Sequence, residues 1–414
     1  MRRFLGDQAI SLLTTVLSIV FTTCFYFLAR WLTPEQFGEL NAYIAFAYLF
    51  FIGQSSLINQ ILLFHQEGLR GPVLRRAAVK RGLLLSAATI IVIVVASPFL
   101  ASFFHLPITT GLLVLGMSSV FFYGAAIVHG LLLAERRIAS AGLVGILESG
   151  AKFAVGVALF ANGYDSWDAP QLIFLYSGIA FGSAVLLLRG RQSAEKGATT
   201  AKTTHSSLMT ILAMNAILTL LIKADVLWGK HALPPDQAGH LAAISTMASL
   251  LFFIAGGIRT AASAYMSRDS AHRVFLWSCG IFVAGCVAAV TLFHMWGPTL
   301  VGYFFGTQYL PYSWLVLPLF IAVTGYGFVT FSAHSLTILG FRAPVVLSAV
   351  LLFTQIAGFW LYGNTIQGIV VVQTIVMSVF GILFASIFWA ASRRGLNARS
   401  LDHTHVAAHS RTTI

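Results

Sequence analysis

The sequence is poor in charge. Only 9% of the 414 residues are charged, with 13 acidic against 25 basic side chains, whereas a soluble globular domain carries roughly a quarter charged residues. Hydrophobic residues make up 58% of the chain, and the mean hydropathy is +0.85. Apolar runs of about 20 residues recur along nearly the whole length. This composition excludes a soluble multidomain enzyme and predicts an integral membrane protein.

Cysteine is also scarce, and the motifs of several enzyme classes are missing. Cys24, Cys279 and Cys286 are odd in number and lie in apolar runs, which excludes a disulfide framework or a C-x-x-C metal site. No G-x-x-x-x-G-K-[ST] loop is present, so the chain encodes no ATP hydrolysis. The predicted outer loops are short and lack a clustered acid, base and nucleophile. We therefore expect neither an enzyme nor a bound cofactor.

The apolar runs predict an all-α polytopic membrane protein with twelve transmembrane helices. The predicted spans cover residues 9–29, 40–64, 82–104, 108–133, 141–161, 171–188, 207–229, 241–264, 274–296, 312–338, 344–362 and 366–390.

The basic residues indicate the orientation of these spans. With the N-terminus inside, 20 of the 25 Lys and Arg residues fall in cytoplasmic segments, and only Arg30 and Lys230 fall outside. This bias satisfies the positive-inside rule and predicts that both termini are cytoplasmic. Because the basic charge has this topological role, we expect no nucleic-acid partner.

A nine-residue motif occurs twice, 201 residues apart. Residues 32–40 read LTPEQFGEL after the first span, and residues 233–241 read LPPDQAGHL after the seventh. Pro and Gly suit a short outer hairpin that turns tightly and restarts a helix. The repeat predicts two parallel six-helix lobes with the substrate path between them. The predicted organisation is an N-terminal lobe, a flexible cytoplasmic linker, a C-terminal lobe and a disordered cytoplasmic tail, at residues 1–188, 189–206, 207–390 and 391–414.

Three segments carry a resemblance to a known family. Residues 28–38, LARWLTPEQFG, followed by an aromatic and alanine-rich helix, resemble the start of polysaccharide transporters of the Wzx flippase type; residues 223–227 and 305–309 also look like that family. These transporters belong to the multidrug/oligosaccharidyl-lipid/polysaccharide (MOP) exporter superfamily. The resemblance implies a V-shaped pair of lobes that moves an undecaprenyl-diphosphate-linked sugar unit across the bacterial inner membrane.

Five charged residues fall within predicted spans, where charge is costly and usually faces a cavity or the bundle interior. Glu148 and Lys152 are four residues apart and share one helical face. They can line a cavity, or they can form a self-neutralising pair that only fixes packing. Lys223 and Asp225 are two residues apart and point in different directions. Lys223 and Arg259 can each face the cavity or snorkel to the interface.

Neutral polar residues in the spans are further candidates. Gln54, Gln60 and Asn215 can hydrogen-bond a sugar or can join helices to one another. His334 is expected to be a packing histidine.

These residues lead to a flippase hypothesis with two alternatives. Lys152, Lys223 and Arg259 would attract a diphosphate-glycan headgroup, because Lys and Arg bind phosphate oxygens through charge-assisted hydrogen bonds. Asp225 or Glu148 would couple an ion. Expected partners are the lipid-linked oligosaccharide, membrane lipids, a polysaccharide polymerase and chain-length proteins. The alternatives are a MATE-like exporter of small cationic molecules, and a non-transporting scaffold for glycan assembly.

Overall fold

The protein is all-helical in its computed structural model. The structure describes residues 6–7, 9–14, 16–18, 20, 27–50, 52–66, 68–104, 109–163, 172–173, 175–179, 182, 205–265, 271–338, 341 and 343–409. The N-terminal helices are α1 (Pro34–Phe50), α2 (Ile52–Gln66), α3 (Gly71–Phe103), α4 (Thr109–Ala134) and α5 (Ile138–Ala161). The C-terminal helices are α6 (His205–Ala232), α7 (Pro235–Tyr265), α8 (Ala271–Phe304), α9 (Val316–Ile338), α10 (Ala343–Tyr362) and α11 (Ile366–His409). Two 3-10 helices cover Phe27–Trp31 and Thr307–Leu315.

The predicted multi-pass membrane class is confirmed. Within the described residues, ten helical segments are long and apolar enough to cross a membrane. They coincide with ten of the twelve predicted spans, and α1 together with α2 makes one of them, Pro34–His65. Of the other two predicted spans, 9–29 is described in part and contains a shorter apolar helix, Ala9–Ser18. The span at 171–188 and the predicted linker at 189–206 lie mostly outside the described residues.

Several helices are longer than the predicted spans. Helix α3 begins at Gly71, eleven residues before its predicted start, and α8 continues through Phe304. The 33 residues of α3 extend about 50 Å, whereas the hydrocarbon core is about 30 Å thick. Hydropathy detects only the part of a helix that hydrocarbon surrounds, so the basic first turns of α3 were placed in a loop.

The last helix extends past the final predicted span. Helix α11 covers Ile366–His409 and so includes most of the tail predicted at residues 391–414. Between residues 392 and 409 the sequence has no proline and one glycine, Gly395. The segment therefore contains no strong helix breaker where it follows the last span.

Both copies of the repeat begin a helix. Pro34 and Pro235 are the first residues of α1 and α7, the position where a missing N–H costs nothing. At the first copy, the Gln36 amide accepts a hydrogen bond from the Thr33 backbone N–H at 3.0 Å, and the Thr33 hydroxyl accepts one from the Gln36 N–H at 3.3 Å. This reciprocal pair is a capping box, and it defines the start of α1.

We call the end of the molecule that carries residues 32–40 and 233–241 the hairpin end. Trp31, which directly precedes the first copy of the repeat, is 69% exposed, and Trp360, near the end of α10, is 74% exposed. Tyr303 and Trp314 flank the turn after α8 and are also exposed. Tryptophan and tyrosine concentrate at membrane–water interfaces, so we expect the hairpin end to lie at the level of the lipid headgroups.

Accessibility of single cysteines tests the predicted orientation. In a variant with Cys24, Cys279 and Cys286 replaced by alanine, Asp236→Cys lies at the hairpin end and Arg76→Cys lies near the start of α3. We expect a membrane-impermeant maleimide to label position 236 in intact cells, and to label position 76 only after permeabilisation. The opposite pattern would place the hairpin end in the cytoplasm.

Candidate functional site

A cavity with charged and polar side chains in its wall lies between helices from the two sides of the predicted linker. Its volume is about 240 Å³, and its walls come from α1, α2 and α5 on one side and from α6, α7 and α9 on the other. We call it the central cavity. Its polar wall residues are Tyr48, Gln54, Ser55, Glu148, Lys152, Asn215, Thr219, Lys223, Ser249, Arg259, Tyr326, Thr330 and His334.

The first charged pair of the cavity is Glu148 and Lys152. The Lys152 Nζ donates to Glu148 Oε1 at 2.7 Å along one face of α5, as their four-residue spacing predicts. Both side chains are about a quarter exposed, and Lys152 also lies 5.2 Å from the ring centroid of Phe122. Glu148 therefore offsets the charge of Lys152, and the structure is compatible with either role predicted for this pair.

Lys223 reaches across the cavity. Its Nζ lies 4.8 Å from the ring centroid of Tyr48, which belongs to α1. A cation over an aromatic face is attracted by the ring quadrupole, and the attraction grows when both groups are shielded from water. The side chain thus points to the cavity between the halves and does not extend to the interface, which was its alternative placement.

Arg259 is held by a polar chain that crosses the cavity wall. His334 Nδ1 donates to the Thr330 carbonyl oxygen at 2.8 Å, so a neutral His334 accepts at Nε2 from the Arg259 guanidinium, 3.2 Å away. The same Nε2 lies 2.9 Å from Asn215 Oδ1, which is a packing contact and not a hydrogen bond while Nε2 is an acceptor, and Asn215 Nδ2 donates to Ser56 Oγ at 2.9 Å. The chain therefore connects α9 and α7 to α6 and then to α2.

Two of the predicted site residues lie away from the cavity wall. Gln60 is 1% exposed, and within the described residues neither of its side-chain polar atoms has a hydrogen-bond partner. Asp225 is 2% exposed; it accepts from the Ser245 hydroxyl at 2.6 Å and from the Val226 N–H at 2.8 Å. The other six, Gln54, Glu148, Lys152, Asn215, Lys223 and Arg259, all line the cavity.

The sequence reasoning missed a buried ion pair at the hairpin end. Lys230 Nζ of α6 lies 3.7 Å from Glu39 Oε1 of α1, with both side chains less than a tenth exposed. Lys230 was counted as a cation of an outer loop, and Glu39 as part of a hairpin. The sequence offered one signal for this pair: Glu39 lies within the first copy of the repeat and Lys230 lies just before the second. Repeated segments of two parallel lobes can meet on the axis that relates the lobes, which would bring these two residues together.

Metal binding finds no support in this part of the chain. Among the residues that the structure describes, no group of three or more His, Cys, Asp or Glu side chains is placed to hold a metal ion.

Comparison with known proteins identifies the fold. No protein-family model and no curated protein matches the chain. Among solved structures, it is similar to an "outward-facing conformation of a multidrug resistance MATE family transporter of the MOP superfamily" (14% identity, TM-score 0.65, 95% of each chain covered). An "inward-facing conformation" of a transporter with the same description has 13% identity and a TM-score of 0.60, over 94% of this chain and 99% of that one.

A third similar structure comes from Pyrococcus furiosus. Its description reads "reverse polarity of binding pocket suggests different function of a MOP superfamily transporter". The identity is 12% and the TM-score 0.68, and the match covers 95% of this chain and 96% of that chain. At these identities the comparison establishes the fold: the chain has the helical architecture of the MATE transporters of the MOP superfamily. The predicted fold class is thereby confirmed.

Two buried serines test the polar chain. Ser56 and Ser348 are both fully buried, but Ser56 accepts from Asn215, whereas the Ser348 hydroxyl has no partner within the described residues. Ser56→Ala should lower the free energy of unfolding by about 1–3 kcal/mol, because it leaves a buried amide N–H unsatisfied. Ser348→Ala should change it little. Thermal unfolding in detergent measures both, and an equal loss in the two variants would contradict the polar chain.

Proposed function

We propose that this protein is an alternating-access transporter that moves an undecaprenyl-diphosphate-linked oligosaccharide across the bacterial inner membrane. The observation that carries the proposal is the charge of the central cavity. Three cations and one carboxylate line its wall, and the carboxylate is paired with one of the cations. Lys223 and Arg259 therefore supply a net positive charge at membrane depth.

This charge suits a diphosphate. Guanidinium and ammonium groups bind phosphate oxygens through charge-assisted hydrogen bonds, and these strengthen where water is excluded. Lys223 is held over the Tyr48 ring and Arg259 by His334, so both cations are oriented before a ligand arrives. We expect these two residues to contribute more to headgroup binding than Lys152, whose charge Glu148 offsets.

The size of the cavity implies a conformational change. A volume of about 240 Å³ is below the range of about 300–1,000 Å³ that is typical of pockets for drug-sized ligands. The cavity accommodates a small anionic group, whereas an oligosaccharide requires the halves to separate. The fold is known in outward-facing and inward-facing forms of MATE transporters, which supports such a motion here.

Sugar recognition has suitable groups nearby. Gln54 and Asn215 present amides to the cavity, and Tyr48, Phe252 and Tyr326 present aromatic rings. Hydrogen-bonding amides and aromatic faces are the usual means of binding sugars inside a polar pocket. The lipid tail of the cargo would stay in the bilayer, and only the headgroup would enter the cavity, where the charged and amide side chains lie.

The structural neighbours are equally consistent with a MATE-like exporter for small cationic molecules, and the charge of the cavity is what favours an anionic cargo. A cationic cargo requires a predominantly acidic cavity, but Glu148 is already paired with Lys152, and Asp225 lies buried between α6 and α7 beside Ser245. Within the same fold, one neighbour is described as having reversed pocket polarity, so the fold itself does not fix the charge of the cargo. A non-transporting scaffold would have no need for a cavity with oriented cations.

Ion coupling has one favoured carboxylate. Asp225 is buried and accepts two hydrogen bonds, whereas Glu148 is engaged with Lys152. We assign the coupling role to Asp225 in preference to Glu148. The polymerase and chain-length proteins of the same glycan remain the proposed protein partners.

Removal of the cavity cations tests the cargo. Lys223→Ala and Arg259→Ala should each weaken headgroup binding about 10- to 100-fold, the equivalent of one charge-assisted hydrogen bond. In cells that lack the native protein, either variant should cause lipid-linked glycan to accumulate on the cytoplasmic leaflet. A membrane-impermeant sugar label, applied to inverted and right-side-out vesicles, reports the leaflet.

The controls separate charge from folding. Lys80→Ala removes an exposed cation from the start of α3, outside the cavity, and should leave export unchanged. Thermal unfolding in detergent identifies variants that fail to fold. Normal export by well-folded Lys223→Ala and Arg259→Ala proteins would refute the proposed cationic site, and unchanged glycan in both leaflets after deletion of the gene would refute the cargo.

A further inference from the structure

The two copies of the repeat meet at the hairpin end. A Cβ atom built on Gly239 would lie 1.8 Å from the Pro34 carbonyl oxygen, and one built on Gly38 would lie 3.1 Å from the Gly239 Cα. The two glycines are therefore in backbone contact, and they occupy equivalent positions of the motif. At position 239 only glycine permits this separation, because any other residue would place its Cβ inside the Pro34 backbone, whereas a Cβ at position 38 would require the opposite backbone to shift by a few tenths of an ångström.

Polar contacts between the halves surround the glycines. The buried Glu39–Lys230 ion pair joins α1 to α6 on one side of the glycine contact. Further along the two helices, the Thr246 hydroxyl donates to Asn41 Oδ1 at 3.0 Å. Each of these bonds joins a residue before the predicted linker to a residue after it.

Aromatic packing closes the same region. Phe37 is fully buried and packs edge-on against Phe305 and Tyr309, with centroids 5.6 and 5.7 Å apart. The Gln308 Nε2 donates to the Leu32 carbonyl oxygen at 2.9 Å. The first turns of α1 and α7 are thus packed against each other and against these aromatic side chains.

The glycine contact lies at the hairpin end, on the same two helices that carry part of the cavity wall. Tyr48 lines the cavity ten residues after Gly38 on α1, and Ser249 lines it ten residues after Gly239 on α7. Ten helical residues rise about 15 Å. Both helices therefore carry the contact at one level and the cavity wall about 15 Å deeper.

From this geometry we infer that the two repeats form the gate on the hairpin side of the central cavity, with Gly38 and Gly239 as its contact surface and Glu39–Lys230 as its latch. The inference rests on the proposed function, because a gate presupposes transport. The positive-inside rule predicts that this gate faces the outside. The structure shows it closed.

An ion pair is a suitable latch because its opening is reversible. Desolvation offsets most of the attraction within a buried pair, so its net contribution to stability is small. When the halves separate, water hydrates both Glu39 and Lys230, and the lost attraction is largely recovered. Replacement of one partner alone has a different effect. The remaining charge is buried without a partner in the closed state but is hydrated in the open state, so the replacement favours the open state.

A distance measurement on the full-length protein tests the gate without any substrate. Spin labels are attached to Glu35→Cys and Asp236→Cys, exposed equivalent positions of the two repeats, in the background free of native cysteines. Glu39→Gln leaves Lys230 without its partner, and Gly239→Ala adds a methyl group at the glycine contact. We expect each variant to shift the distance distribution to longer values by about 5 Å or more.

Two controls match these variants. Gly256→Ala makes the same replacement on the same helix, at a position where a Cβ meets no other atom within 4 Å, and it should leave the distance unchanged. The exchanged pair Glu39→Lys with Lys230→Glu restores opposite charges and should return the distribution toward that of the parent protein. If Gly239→Ala does not fold, Glu39→Gln decides, because it preserves the size of the side chain.

The outcomes separate the gate from the cargo. Unchanged distances in Gly239→Ala and Glu39→Gln, or an equal shift in Gly256→Ala, would overturn the gate whatever the transport assay shows. A shift limited to the gate variants supports it. If that shift occurs while the parent protein moves no lipid-linked glycan in vesicles, the gate stands as a conformational element and the proposed cargo is wrong.

Discussion

The cost of charge in hydrocarbon is the constraint on which the rest of the structure depends. A cation at membrane depth must face water or a partner, and Lys152, Lys223 and Arg259 all turn toward one cavity. The ring over which Lys223 lies comes from α1, on the opposite side of the cavity. Arg259 connects through His334 and Asn215 to α2. The side chains that contact Lys223 and Arg259 therefore also connect the two halves of the chain.

One motif serves two structural purposes. Its threonine, glutamine and proline begin α1 through a capping box, as the pattern of a restarting helix predicts. Its glycine was expected to permit a tight turn, but Gly38 and Gly239 lie within the first turns of their helices and face each other. The glycines are needed because the backbones of α1 and α7 touch at these two positions. This close contact also brings Glu39 near Lys230 and Asn41 near Thr246.

The cavity and the hairpin contact share their helices. Since α1 and α7 carry both, a rotation that separates Gly38 from Gly239 also moves Tyr48 relative to Arg259. Packed helices move as rigid bodies between a few discrete arrangements, so the cavity cannot keep its present shape while the hairpin end opens. A cavity that is small while the hairpin end is closed can therefore enlarge when the hairpin end opens, as a larger cargo requires.

The sequence by itself determined the membrane class, ten described spans, the repeat, and the pairing of Glu148 with Lys152. These depend on local periodicity, on hydropathy, or on positions within one helix. The tertiary structure decided that Asp225 and Gln60 lie off the cavity wall, that Lys223 points to Tyr48, and that Glu39 pairs with Lys230. Such contacts depend on the rotation of each helix about its axis and on which helices become neighbours. Both are set by packing between residues far apart in the chain, and single-sequence periodicity carries no information about those pairs.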